Sequence, residues 1–299
     1  MRIARFTHDG RTRLGVVDGE TMLDVGSVDP TLPTDVGVLL AGGRVPQLKA
    51  VLDRAGVDRA GVDREIDRIA LSSVRLEAPI VSPPEFLAIG LNYALHVVES
   101  GRDRPDRPIV FNKQVSCVTG PFDPIEIPTV APTKVDYEGE LGVVIGRRCR
   151  GVPASRASEV IAGYLVVNDV SVRDWQRATP TMTMGKSWDT HGPIGPYLVT
   201  ADEIADPHDL RIRTWVDGEL RQDASTSSML TNCWELIEHL STAFTLLPGM
   251  IIATGTPAGV GIAMDPPALL RVGQTVRVEI EGIGAIENPV IAQPPAKKW

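Results

Sequence analysis

Eight short apolar stretches, bounded by glycine, proline or small polar residues, follow the segment Ala78-Pro79-Ile80-Val81-Ser82-Pro83-Pro84. They are Phe86 to Gly90, Ile109 to Asn112, Gly139 to Ile145, Tyr164 to Asn168, Tyr197 to Thr200, Arg211 to Val216, Met250 to Gly255 and Thr275 to Ile280. Stretches of this length, rich in Val, Ile and Tyr, are strands. Few long helical patterns separate them, which excludes the alternating βαβ order of a parallel nucleotide-binding sheet. Asp217-Gly218 lies between Arg211 to Val216 and Glu219 to Gln222, and both residues tolerate the positive φ of a type I′ turn, so a hairpin is predicted there. Trp234 to Leu246 is the clearest amphipathic helix. The chain therefore reads as a β-rich α+β protein, and its 28 glycines and 24 prolines fit many turns.

At 299 residues the chain can bury a sizeable core and carry a small appendage. Residues 1 to 75 alternate short apolar stretches (Arg2 to Phe6, Leu14 to Val17) with turns, then carry a predicted helix near Val36 to Leu40. Within them, Arg54 to Asp63 repeats the unit Arg-Ala-Gly-Val-Asp twice, too short for a solenoid and read as a solvated helix or linker. The expected organisation is a small N-terminal domain over 1–75 and a main domain over 76–299.

A net charge of −8, with no basic cluster, argues against nucleic acid and anionic membranes and points to a small-molecule partner. No apolar run reaches the roughly 20 residues that span a bilayer, and Met1 to Arg5 opens a strand instead of a signal peptide, so a cytoplasmic location is expected. Cys117, Cys149 and Cys233 are odd in number, far apart and without metal-site spacing, and are expected to be reduced and structural.

Asp136-Tyr137-Glu138-Gly139-Glu140 is the strongest local signal. Residues two apart on a strand share a face, so Glu138 and Glu140 present adjacent carboxylates, with Gly139 leaving room behind them. An isolated Glu-x-Glu is most often a polar edge strand, but these two lead into an apolar, buried-looking run, where an unpartnered carboxylate is costly. Tyr164 to Val167 ends in Asn168-Asp169, which can bring a third carboxylate to the same place. Three carboxylates without a His or Cys pair favour a hard cation, Mg²⁺ or Mn²⁺ over Zn²⁺. His96 and Glu99, three apart, are neighbours if their segment is helical, and a carboxylate raises the basicity of an imidazole it holds. Such a pair is also common as a surface contact. Lys113 and Lys186 lie in apolar surroundings, as lysines that meet an anion or that snorkel from a strand end. Thr254-Gly255-Thr256-Pro257-Ala258-Gly259 exposes backbone N–H groups but lacks the Lys-Ser/Thr of a phosphate loop.

Taken in order, these segments resemble the fumarylacetoacetate hydrolase superfamily from about residue 75 to about residue 290. The resemblance rests on Gly90-x-Asn92-Tyr93-x-x-His96-x-x-Glu99, Phe111-x-Lys113, Asp136-Tyr137-Glu138-x-Glu140, Asn168-Asp169-Val170-Ser171-x-Arg173-Asp174-x-Gln176, Gly185-Lys186-x-x-Asp189, Gly192-Pro193-x-Gly195-Pro196 and Thr254-Gly255-Thr256-Pro257-x-Gly259-x-Gly261. It implies a rolled, mixed β-sheet core with a small N-terminal α/β domain, a homodimer, and one Mg²⁺ or Mn²⁺ held by Glu138, Glu140 and Asp169. It also implies a His96–Glu99 dyad on a lid helix and Lys186 beside the substrate. Arg173, Gln176, Gly255 and Thr256 would contact the oxygens of a 2-oxo or β-diketo acid, with Lys113 as a further candidate for a substrate anion. The implied reaction is metal-dependent C–C hydrolysis of an acylpyruvate, with decarboxylation or keto-enol isomerisation as the alternative. Thr181-Met182-Thr183-Met184 departs from the commonest family text, where bulkier aromatic residues are frequent, and leaves the substrate open.

Overall fold

The computed structural model describes residues 1–54 and 66–295. The Arg-Ala-Gly-Val-Asp repeat, after its first residue, lies outside the described residues.

Two sheets carry the architecture. The larger runs, edge to edge, Asp67–Ala70, Thr21–Asp24, Arg11–Asp18, Arg2–His8, Gly192–Thr200, Ile161–Asn168, Gly139–Ile145, Ile251–Ala253, Phe86–Gly90 and Ile109–Lys113. Pairing along this path is antiparallel except between Ile251–Ala253 and Phe86–Gly90, which run parallel. The N-terminal strands join it through Arg2↔Val199 and Ile3↔Leu198. A five-stranded sheet is ordered Glu219–Ser225, Arg211–Val216, Thr275–Ile280, Gly284–Ala292, Ile125–Ile127.

Period-2 alternation divides the apolar side chains between two cores. Leu141, Val143, Ile145 and Val166 face a cluster shared with Ile212, Leu236, Val278 and Ile280. Val144, Leu165 and Val167 face the opposite cluster, with Ile3, Leu39 and Phe86. Strand Gly139–Ile145 is thus buried along its whole length. A Cβ on Gly139 would stand 2.3 Å from Thr214 Oγ1, so its missing side chain is what lets the second sheet approach.

Phe86–Gly90, Gly139–Ile145, Arg211–Val216 and Thr275–Ile280 are strands with the expected bounds. In the hairpin turn Asp217 and Gly218 take φ of 51° and 79°. The expected helix near Val36 is Val36–Ala41, capped by Asp35, whose side chain accepts the Val38 N–H. The amphipathic helix is Cys233–Ala243, opened by an Asn232/Glu235 capping box. Other bounds move. The strand predicted at Tyr197 begins at Gly192, and the one predicted over Met250 to Gly255 ends at Ala253, because the chain turns away at Gly255 with φ of 99°. Strand Gly284–Ala292, which runs through Pro289, has no counterpart in the sequence expectation. All three cysteines are free, Cys117 and Cys233 being buried. No helix among the described residues is long and apolar enough to cross a membrane.

Candidate active site

Glu138 stands just before strand Gly139–Ile145 and Glu140 is its second residue. The neighbouring strand Ile161–Asn168 pairs Asn168 with Gly139, and the next residue, Asp169, donates its N–H to the Glu138 carbonyl at 2.8 Å. The pairing register therefore brings the three carboxylates together. Each offers an oxygen within 4.8 Å of the others, and all three side chains are buried.

Three cations meet this group. Lys186 Nζ donates to Glu138 Oε2 at 2.6 Å and to Asp169 Oδ2 at 2.7 Å. Arg173 donates from Nη1 to Glu138 Oε1 at 2.6 Å and from Nε to Asp136 Oδ2 at 2.8 Å. Lys113 Nζ donates to Asp169 Oδ1 at 2.7 Å and also to the carbonyls of Lys186 and His191. Burial alone would raise Glu138, but Lys186 and Arg173 hold it at about 2. Burial alone would lower Lys186, but Asp169 and Glu138 raise it above its usual value, so it stays charged.

Glu140 is the exception. Among the described residues no cationic side chain hydrogen-bonds it, and its Oε2 accepts only the Gly255 N–H, at 2.8 Å. Burial, reinforced by Asp169 and Glu138, pushes it well above the usual carboxylate range. Four buried carboxylates, Asp136 included, thus face three cations, and the uncompensated one sits where three oxygen ligands converge. The residues fit a hard divalent cation, since an all-oxygen donor set suits such an ion and its charge would relieve Glu140.

His96 and Glu99 lie on helix Ala94–Glu99, with His96 Nδ1 2.7 Å from Glu99 Oε1. The second oxygen, Glu99 Oε2, accepts the Gly259 N–H at 2.9 Å. Both residues line a cleft of about 830 Å³ together with Glu138, Glu140, Lys186, Arg173, Gln176 and Thr256. Its apolar wall includes Ile89, Phe111, Val260 and Met182.

Of the residues expected from sequence, Lys113, Asp169 and Gly255 are not among those that line the cleft. Lys113 holds Asp169 from the rear, and Gly255 N–H is taken up by Glu140. The Thr256 hydroxyl is likewise engaged, donating to the Gly139 carbonyl and accepting from Gln222. Gln176 Oε1 accepts from Arg173 Nη1 at 3.0 Å, which turns its amide nitrogen the other way. Asp136, two residues before Glu138, carries no sequence signal of its own beyond that motif. It accepts from Arg173 and from the Gly261 and Ile262 N–H groups.

Fold and cleft together define a metal-dependent enzyme of the hydrolase or isomerase type. The chain belongs to the fumarylacetoacetate hydrolase family, its residues 85–291 matching the model described as fumarylacetoacetate (FAA) hydrolase C-terminal. Residues 1–79 match a second model, described as Rv2993c-like, N-terminal. The chain is 38% identical over 297 residues to the mitochondrial oxaloacetate tautomerase fahd2 of Xenopus laevis, covering 97% of this chain and 90% of that protein. Among solved structures it resembles maleylpyruvate hydrolase from Sphingobium sp. SYK-6, in complex with manganese(II) and pyruvate, at TM-score 0.80 and 31% identity over 98% and 100% of the two chains. It also resembles 5-carboxymethyl-2-hydroxymuconate delta-isomerase from Mycobacterium smegmatis, at TM-score 0.75 and 35% identity over 99% and 100%.

Proposed function

We propose that this chain is a Mg²⁺- or Mn²⁺-dependent hydrolase that cleaves a C–C bond in an acylpyruvate or other β-diketo acid. The observation that carries the reading is the His96–Glu99 pair: Glu99 engages Nδ1, while Nε2 has no partner among the described residues and belongs to the same cleft as Glu138 and Glu140. A base so held suits water activation. When bound at Glu138, Glu140 and Asp169, the cation supplies Lewis-acid polarisation of the substrate's carboxylate and 2-oxo oxygens.

The side chains do the rest. Gln176, oriented by Arg173, and the Thr256 N–H receive substrate oxygens, with Arg173 adding positive charge. His96 takes a proton from water, the resulting hydroxide adds to the distal carbonyl, and the C–C bond breaks. Its electron pair becomes an enolate facing the Lys186 ammonium, which has one N–H beyond those given to Glu138 and Asp169. Protonation of the enolate carbon yields a 2-oxo acid and a second carboxylic acid. Lys113 serves by holding Asp169.

A second reading, a 2-oxo acid decarboxylase or keto-enol isomerase, draws on the similarity to a tautomerase and an isomerase. The same His96 would then move a carbon-bound proton. The proposal extends to a homodimer, to a cytoplasmic location and to an organisation into residues 1–75 and 76–299. Turnover of an acylpyruvate panel with and without EDTA tests the reading. Metal-independent turnover, or unchanged turnover in His96→Ala, overturns it; enolisation of oxaloacetate without C–C cleavage of any diketo acid moves the assignment to the second reading.

A further inference from the structure

Gln222 is fully buried although it belongs to the second sheet, far in sequence from the carboxylates and the dyad. A bulge aims it inward. Pairing runs Trp215↔Leu220 and then Thr214↔Gln222, so Arg221 is an extra residue on its strand, and such a bulge re-aims the side chain that follows it. Gln222 Oε1 accepts the Gly139 N–H at 3.0 Å, and Nε2 donates to Thr256 Oγ1 at 2.7 Å and to the Pro257 carbonyl at 2.8 Å. Both hydrogens of the amide are used, all within one loop and the strand beside it.

Tyr137 reaches the far end of the same loop, its hydroxyl donating to the Gly259 carbonyl at 2.9 Å. Asn92 Nδ2 ties the near end, donating to the Thr254 carbonyl at 2.7 Å just before the dyad helix. Between these anchors the loop offers one N–H to each half of the site: Gly255 to Glu140 and Gly259 to Glu99. Gly259 takes φ of 104°, and a Cβ there would stand 2.0 Å from the Arg221 carbonyl, so the bulge and the loop lie in direct apposition.

We propose that Gln222 and Tyr137 are positioning residues for the His96–Glu99 pair: by fixing residues 254–259 they set the dyad in register with the carboxylate cluster. This rests on the function proposed above. Neither side chain contacts His96 or Glu99 directly. Each acts through backbone, and a base displaced by even an ångström loses much of its effect.

The test combines Tyr137→Phe, which removes one hydroxyl, with Gln222→Met, which removes the amide at similar size. In the Mn²⁺-loaded enzyme each lowers kcat about tenfold with KM held within about twofold. In a Glu99→Ala background, which has no carboxylate left to position, Tyr137→Phe changes kcat less than about twofold. Independently of turnover, amide hydrogen exchange accelerates over residues 94–99 and 254–261 in Tyr137→Phe. Equal loss of kcat in both backgrounds, or unchanged exchange over 94–99, overturns the proposal. If Gln222→Met does not fold, Tyr137→Phe decides alone. A wild-type enzyme that cleaves no diketo acid removes the proposed function, while exchange still judges the positioning.

Discussion

The Lys113 ammonium and the Asp169 carboxylate lie 2.7 Å apart, both with side-chain exposure of 0%. A buried carboxylate stripped of a partner costs roughly 3–5 kcal/mol. Lys113→Met should therefore destabilise the metal-free protein by about 3 kcal/mol, the lower end of that range, since Lys186 still pairs with Asp169. Urea denaturation with EDTA present measures it; a loss below about 1 kcal/mol would show that Lys113 is not what supports this carboxylate.

His191 supplies an acid-side prediction. Burial, reinforced by the Lys113 charge and opposed by the hydrogen bond to the Glu126 carbonyl, takes its pKa from 6.5 down to about 3. Folded chain thus binds fewer protons at this site than unfolded chain between those values, so stability falls as pH drops from 6.5 toward 3. The slope is roughly 1.4 kcal/mol per pH unit for one such group. His191→Gln, which can keep the bond to Glu126, should flatten the profile between pH 6 and 4; parallel wild-type and variant profiles would sink this account.

His96→Ala should lower kcat by about 10²- to 10⁴-fold, the usual contribution of a general base. Binding of Mn²⁺, followed by calorimetry, should be unchanged, because His96 is not among the converging carboxylate ligands. A parallel loss of metal affinity would instead make His96 part of the cation site.

Gly185 precedes Lys186, and a Cβ there would stand 2.1 Å from the Gln176 backbone nitrogen. Gly185→Ala must therefore push helices Arg173–Ala178 and Thr183–Lys186 apart, at a cost of about 1–3 kcal/mol. The expected result is a lower Tm together with a raised KM, since Gln176 moves with its backbone; a variant with wild-type kinetics would contradict this contact.

What was legible in the chain was what local periodicity encodes. Glu138 and Glu140 share a face because they are two apart, and His96 meets Glu99 because they are three apart on a helix. Asp169 was legible only as a strand end; its place beside Glu138 depends on the Gly139↔Asn168 register. Lys113 was recognisable as a lysine in apolar surroundings, but neither as buried nor as the support of Asp169, because its strand lies at the far edge of the sheet. Gln222 carried no signal at all: a one-residue bulge turned it inward, and nothing in Glu219 to Ser225 marks one. The union of the N-terminal strands with the main sheet likewise depends on pairing across nearly 200 positions.

Ala178, Thr179, Pro180 and Met182 form one wall of the cleft, and none of them hydrogen-bonds a carboxylate of the cluster. This part of the wall therefore lies on a stretch of chain apart from the carboxylate cluster. A lineage can redraw this wall, substitution by substitution, without disturbing the charge balance behind it. Under the function proposed above, substitutions within 178–182 are where variation of the substrate's acyl group begins.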